Sequence, residues 1–163
     1  MFYRLFDALD KKSPFARAEA HCDVPCGIYD PSTAQISALT VVRMMDLMKA
    51  ESENHHVHSA EHVNSMARYI EVKEEHAEKA KQEIRIIWGD YFKKDKHPNV
   101  DDLVHKIMQL GSKSRQTADR ENGIAFVEAI NEFSAIFWET KGVATKRAKA
   151  PYAPALEMVY PDL

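Results

Sequence analysis

The stretch "DPSTAQISALTVVRMMDLMKA", Asp30 to Ala50, decides the fold class. Asp30 can accept hydrogen bonds from the first free amides of a helix, and Pro31 suits the first helical position, where its missing donor costs nothing. After this start signal, Ile36, Leu39, Val42, Met45, Leu47 and Met48 recur at three- and four-residue steps, which predicts a helix over 31–50 with an apolar face. The methionines of "VVRMMDLM" at this spacing read as core filling, since the flexible thioether fits irregular gaps.

The same pattern continues along the chain. "ESENHHVHSAEH" (51–62) is polar and aperiodic, a loop in which Ser59 and His62 bracket the onset of a second helix. Its clustered imidazoles, His55, His56, His58 and His62, read as a solvated loop rather than a metal site. The second helix carries Val63, Met66, Ile70, Ala77, Ala80, Ile84, Ile87 and Trp88 and ends near "WGDYF". Pro98 breaks the pattern, and Asn99 is placed to cap a third helix with Val100, Leu103, Val104, Ile107 and Leu110, expected to stop at Gly111. Beyond a polar linker, "SKSRQTADR", a fourth helix carries Ile124, Phe126, Val127, Ile130, Phe133, Ile136, Phe137 and Trp138, with Gly142 as a left-handed end cap. No strand-like alternation competes. The expected fold is all-α, an up-and-down four-helix bundle. The tail from Val143 has no sustained period; it is expected either to lack structure or to wrap a neighbouring subunit through Tyr152, Leu156, Met158 and Tyr160.

Composition agrees with this class and excludes others. In 163 residues, 45% hydrophobic content supports one core, and only five glycines accompany 29% charged residues, as helices require. A net charge of −3 offers no basic field for nucleic acid or an anionic membrane. No apolar run approaches the roughly 20 residues that span a bilayer. In the first twenty residues Asp7, Asp10, Lys11 and Lys12 interrupt the apolar stretch an export signal needs. The segment reads as a leader or a short amphipathic helix on a cytoplasmic protein, where a permanent disulfide is disfavoured.

Upstream of the first helix lies "HCDVPCGIYDP", His21 to Pro31, with both cysteines of the chain. Two buried thiols in a turn are one explanation. The crowding of His21, Cys22 and Cys26 beside the turn formers Pro25 and Gly27 favours metal or redox chemistry instead. Zinc prefers four side-chain ligands in a closed tetrahedron and finds three here. Nickel and copper accept planar nitrogen donors together with thiolates. Cutting between Ala20 and His21 would add an α-amino group, with an unperturbed pKa of about 7.7 to 8.0, as a further donor. The metal-deprotonated Cys22 amide would complete two nitrogens and two sulfurs in one plane, with the His21 imidazole as an axial arm.

His21, Cys22, Asp23, Pro25, Cys26, Gly27, Tyr29, Asp30 and Pro31 resemble, at every fixed position, the amino-terminal signature of nickel-dependent superoxide dismutases. The resemblance extends to "WGDYFK" (88–93) and "IFWETK" (136–141). It implies a precursor whose leader, residues 1–20, is removed by a maturation peptidase cutting Ala20-His21, a nickel hook and four-helix bundle over 21–142, and a C-terminal extension over 143–163. It implies one nickel ion per subunit, held by the α-amino nitrogen and imidazole of His21, the amide nitrogen and thiolate of Cys22 and the thiolate of Cys26. Cycling between Ni(II) and Ni(III) would convert superoxide to dioxygen and hydrogen peroxide, in a homohexamer. It places the Tyr29 hydroxyl beside the metal's open face, Asp23 in hydrogen bonds that shape the hook, and Tyr91, with Asp90, in the lining of the same pocket. Asp30 is better explained as a cap.

Two positions depart from the family pattern. Where better-known members have a glutamate and an arginine that position the axial imidazole, ungapped counting puts Ser37 and His76, so the imidazole's orientation calls for shorter or different partners. The leader holds four basic and three acidic residues, so its loss takes the formal charge from −3 to −4. Attraction of an anionic substrate must then be local, with Lys93, Lys94 and Lys96 as candidates. Competing expectations are a non-catalytic nickel- or copper-binding protein, and a helical interaction module with a Cys22–Cys26 thiol switch.

Overall fold

Asp30 does what its sequence context predicts: its Oδ1 accepts a hydrogen bond from the Ser32 amide at 2.8 Å, just ahead of the first helix. The computed structural model describes residues 27–53 and 59–163. The leader, the hook residues His21 to Cys26, and His55, His56 and His58 lie outside the described residues. The helices are α1 (Ser32–Ser52), α2 (Ala60–Ile86), α3 (Val100–Gln116) and α4 (Arg120–Thr140). They pack as a closed ring, α1 on α2, α2 on α3, α3 on α4 and α4 on α1, which is the expected up-and-down four-helix bundle. No described helix is long and apolar enough to cross a membrane.

The core is built from Val41, Val42 and Met45 of α1, Ala77 and Ile84 of α2, Ile107 of α3, and Phe126, Ile130, Phe133 and Phe137 of α4, all buried. The predicted apolar faces of α1 and α2 need correction. Ile36, Val63 and Ile70 are 51%, 60% and 43% exposed, while Ala34, Ala38 and Val41 take the inward positions of α1. Every buried residue of α2 lies at Lys73 or beyond, so Val63 and Ile70 in its first turns stay exposed among the described residues. Ser59 caps α2 as expected, its Oγ accepting from the His62 amide at 3.0 Å.

The third helix also differs from expectation. Asn99 sits at its N-cap without a side-chain capping bond, and Asp101 and Asp102 supply the negative charge its first turn favours. Gly111 does not end α3 but lies buried within it. A Cβ there would stand 2.8 Å from Lys81 Cδ and 3.1 Å from Phe126 Cε2, so this glycine serves close packing between helices. Most of the predicted linker is consequently helical. Asp119 caps α4 through the Glu121 amide at 3.1 Å, and Gly142, with φ +69°, ends it in the conformation glycine alone adopts freely.

The tail does not lack structure. It forms an antiparallel hairpin, β1 (Thr145–Lys149) and β2 (Glu157–Pro161), with Arg147 opposite Val159, docked on α4. Met158 and Val159 enter the core while Tyr152 stays 49% exposed. The strands escaped the sequence pattern because β1 is exposed at every position and β2 buries two adjacent residues, so neither alternates.

Candidate metal centre and its tyrosine pocket

Gly27 has φ +86°, a left-handed turn immediately after Cys26 that a side chain would oppose. Two residues on, Tyr29 is half-buried, its ring 6.0 Å from that of Tyr91 at 52°.

Tyr91 owes its position to an irregularity. The end of α2 widens into a π-helical turn over Ile87–Tyr91, and such a turn re-aims the side chains that follow it. Tyr91 then packs against Phe137 at 5.1 Å and edge-on against Phe92 at 5.2 Å. Its hydroxyl lies 2.6 Å from Thr140 Oγ1, and Lys141 Nζ stands 4.3 Å above the ring. The two quoted motifs, "WGDYFK" and "IFWETK", therefore meet in space and face the segment that leaves the hook. Asp90, beside Tyr91, is half-buried.

The structure thus brings Tyr29 and Tyr91 together. Ser37 and His76 each bond within their own helix: Ser37 Oγ donates to Thr33 O at 2.7 Å, and His76 Nδ1 donates to Val72 O at 2.9 Å. Lys94 is 87% exposed and 4.0 Å from Asp101; Lys93 and Lys96 are exposed. Thr140 and Lys141 close the "IFWETK" motif, and the sequence alone gives them no role. Their spacing from Phe137, three and four residues along a helix, was the signal that puts them on one face. His62 Nδ1 is 3.1 Å from Glu51 Oε1, and among the described residues no cluster of three or more His, Cys, Asp or Glu could hold a metal.

The candidate donors that the sequence offers, His21, Cys22 and Cys26, lie outside the described residues. Two thiolates and an imidazole, joined by nitrogen from a freed amino terminus and an amide, suit a soft, planar-tending divalent ion such as nickel. The sequence profile for nickel-containing superoxide dismutase matches residues 16–141. The chain belongs to this family. Relatives named superoxide dismutase [Ni] from Streptomyces seoulensis and Streptomyces coelicolor are each 33% identical over 144 residues, covering 86% of this chain and 98% of theirs. Among solved structures, native nickel superoxide dismutase superposes with a TM-score of 0.64 at 33% identity, covering 74% of this chain and 99% of that one. A structure whose nickel ligation corresponds to the oxidised state gives 0.64 at 34% identity, covering 75% and 99%. Nickel is the cofactor of the nickel superoxide dismutase family, and its sequence match ends at Lys141, before the hairpin.

Proposed function

We propose that this chain is a superoxide dismutase that matures by cleavage between Ala20 and His21. It converts two superoxide anions and two protons to dioxygen and hydrogen peroxide. The single observation that supports this best is the coincidence of the His21–Pro31 hook sequence with a Tyr29–Tyr91 pair directly after it.

In this proposal one nickel per chain is held by the α-amino nitrogen and imidazole of His21, the amide nitrogen and thiolate of Cys22, and the thiolate of Cys26. When bound, nickel supplies one-electron chemistry between Ni(II) and Ni(III). Cys22 and Cys26 contribute electron-rich sulfur that favours the higher oxidation state. Asp23 shapes the hook through hydrogen bonds. Tyr29 and Tyr91 narrow the approach, admitting small species and ordering water. Ser37 Oγ, which spends its proton on Thr33 O, keeps the capacity to accept from the His21 imidazole, so a shorter partner takes the place of the family's glutamate in this proposal. The proposed assembly is a homohexamer, and the proposed location is the cytoplasm, where a peptidase removes the leader.

The test compares the full chain with the same chain cut after Ala20. Superoxide-dismutating activity is expected only in the cut form, with about one nickel per chain. Activity in the uncut chain, or tight zinc in place of nickel after cutting, would overturn the proposal. Recovery of a stable Cys22–Cys26 disulfide from cells would favour a thiol switch.

A further inference from the structure

We infer that Thr140 is a positioning residue for Tyr91, turning the phenolic proton out of the pocket so that Tyr91 meets incoming species only as a hydrogen-bond acceptor. This rests on the proposed function for the role of Tyr91 in the reaction, whereas the direction of the proton follows from hydrogen-bonding capacity alone.

A threonine hydroxyl carries one proton, and a carbonyl oxygen carries none. Thr140 Oγ1 lies 2.6 Å from Phe137 O, so the threonine must donate there. That carbonyl belongs to the last turn of α4, whose final carbonyls lack the usual helical partners. Nearby backbone amides turn elsewhere: Lys141 and Val143 donate to Trp138 O at 3.0 and 3.1 Å, and Gly142 donates to Glu139 O at 2.9 Å. With its own proton committed, Thr140 can only accept at its second contact, the Tyr91 hydroxyl at 2.6 Å. The chain of bonds therefore runs from Tyr91 to Thr140 to Phe137 O. It ends on a carbonyl, which passes no proton onward.

Two consequences concern the reaction. The Tyr91 oxygen offers lone pairs to its other neighbours, so a water bound there would donate one proton to it and keep its second free to point into the pocket. The proton that nascent peroxide takes is then supplied by water or another group, not by the Tyr91 phenol. Ring packing against Phe92 and Phe137 and the Lys141 ammonium above the ring keep the phenol from swinging to a different partner.

The experiment uses T140V, which keeps the shape without the hydroxyl, and T140S, which keeps the hydroxyl, in the leader-free, nickel-loaded protein. Ultraviolet resonance Raman difference spectra against Y91F report, from the tyrosine Fermi doublet, whether this phenol donates or accepts. A donor signature is expected in wild type and T140S, and its loss in T140V. The kcat/KM for superoxide is expected to fall about three- to tenfold in T140V at unchanged nickel content, the scale of one lost hydrogen bond, and to stay within about twofold in T140S. An unchanged doublet in T140V, unchanged kcat/KM in T140V, or a T140S that behaves like T140V would each overturn the inference. An inactive wild type would remove the function on which the kinetic arm rests, and the Raman arm would still decide the direction of the proton.

Discussion

Gln35 Nε2 donates to Asn131 Oδ1 at 3.0 Å, linking the first turn of α1 to the middle of α4 across 96 residues of sequence. Both side chains also reach the hairpin. Gln35 Nε2 donates to Val159 O at 2.9 Å, Asn131 Nδ2 donates to Glu157 O at 2.9 Å, and Asn131 Oδ1 accepts from the Val159 amide at 3.2 Å. The two amides thus complete the free edge of β2 as a third strand would. They tie the extension that lies beyond the family match to the helix that follows the hook.

Replacing Asn131 by leucine conserves volume and strips the Val159 amide and the Glu157 carbonyl of their partner. Each buried group left unsatisfied costs about 1–3 kcal/mol, so N131L is expected to lose about 2–4 kcal/mol. Urea denaturation followed by circular dichroism measures this. A midpoint equal to that of wild type would show that the clamp adds nothing to stability.

Lys73 plays a comparable part at the other end of the bundle. Its side chain is 3% exposed, and Nζ donates to Ser114 O at 2.9 Å, to Arg115 O, and to Thr117 O at 3.2 Å. A cation there satisfies carbonyls at the negative end of the α3 dipole. K73M keeps the apolar stem and removes all three donors, so a loss of about 2–4 kcal/mol is expected. Faster amide exchange confined to the last turn of α3 would mark the cause; unchanged exchange and melting temperature would refute it.

The fold was legible where burial follows a 3.6-residue period, as in α4, whose Phe126, Ile130, Phe133 and Phe137 are all buried. It was illegible where tertiary contact overrides a local signal. Gly111 looks like a stop in sequence, and only Lys81 and Phe126 packed against it show why a glycine is needed inside α3. The hairpin was hidden because side-chain amides far away in sequence, not its own alternation, hold β2. The ligand set and Tyr29 could be proposed from one dense motif. Thr140 could not, because its role depends on a π-helical turn that no periodicity announces.

Acid should loosen two surface clamps in a defined window. The hydrogen bond from Arg85 holds the Glu78 carboxyl below its ordinary value of 4.5, and that from Arg147 does the same for Glu128. For a carboxylate lowered by folding, the stabilisation is complete above the ordinary value and disappears as pH falls through the lowered one. Both groups are substantially exposed, at 43% and 55%, so solvent screening limits each to less than about 1 kcal/mol. E128Q should therefore be slightly less stable than wild type at pH 7, and the gap should close below about pH 4.5. A gap that persists at pH 3 would assign the loss to packing.

Lys141 sets the last expectation, for attraction of the anionic substrate in the proposed reaction. With a net charge of −3, or −4 without the leader, the molecule as a whole repels superoxide, so any favourable field is local. Lys94, one of the sequence candidates, has Asp101 at 4.0 Å to offset it, whereas Lys141 stands over the Tyr91 ring. K141Q is expected to lower kcat/KM about two- to fivefold at low ionic strength. The difference should shrink as the Debye length falls from about 30 Å at 0.01 M to about 8 Å at 0.15 M salt. K141R should retain the wild-type slope against salt, and K94Q should leave it unchanged. If K141Q and wild type kept parallel salt dependences, the attraction would have to arise from another cation, and Lys93 and Lys96 would be the next to replace.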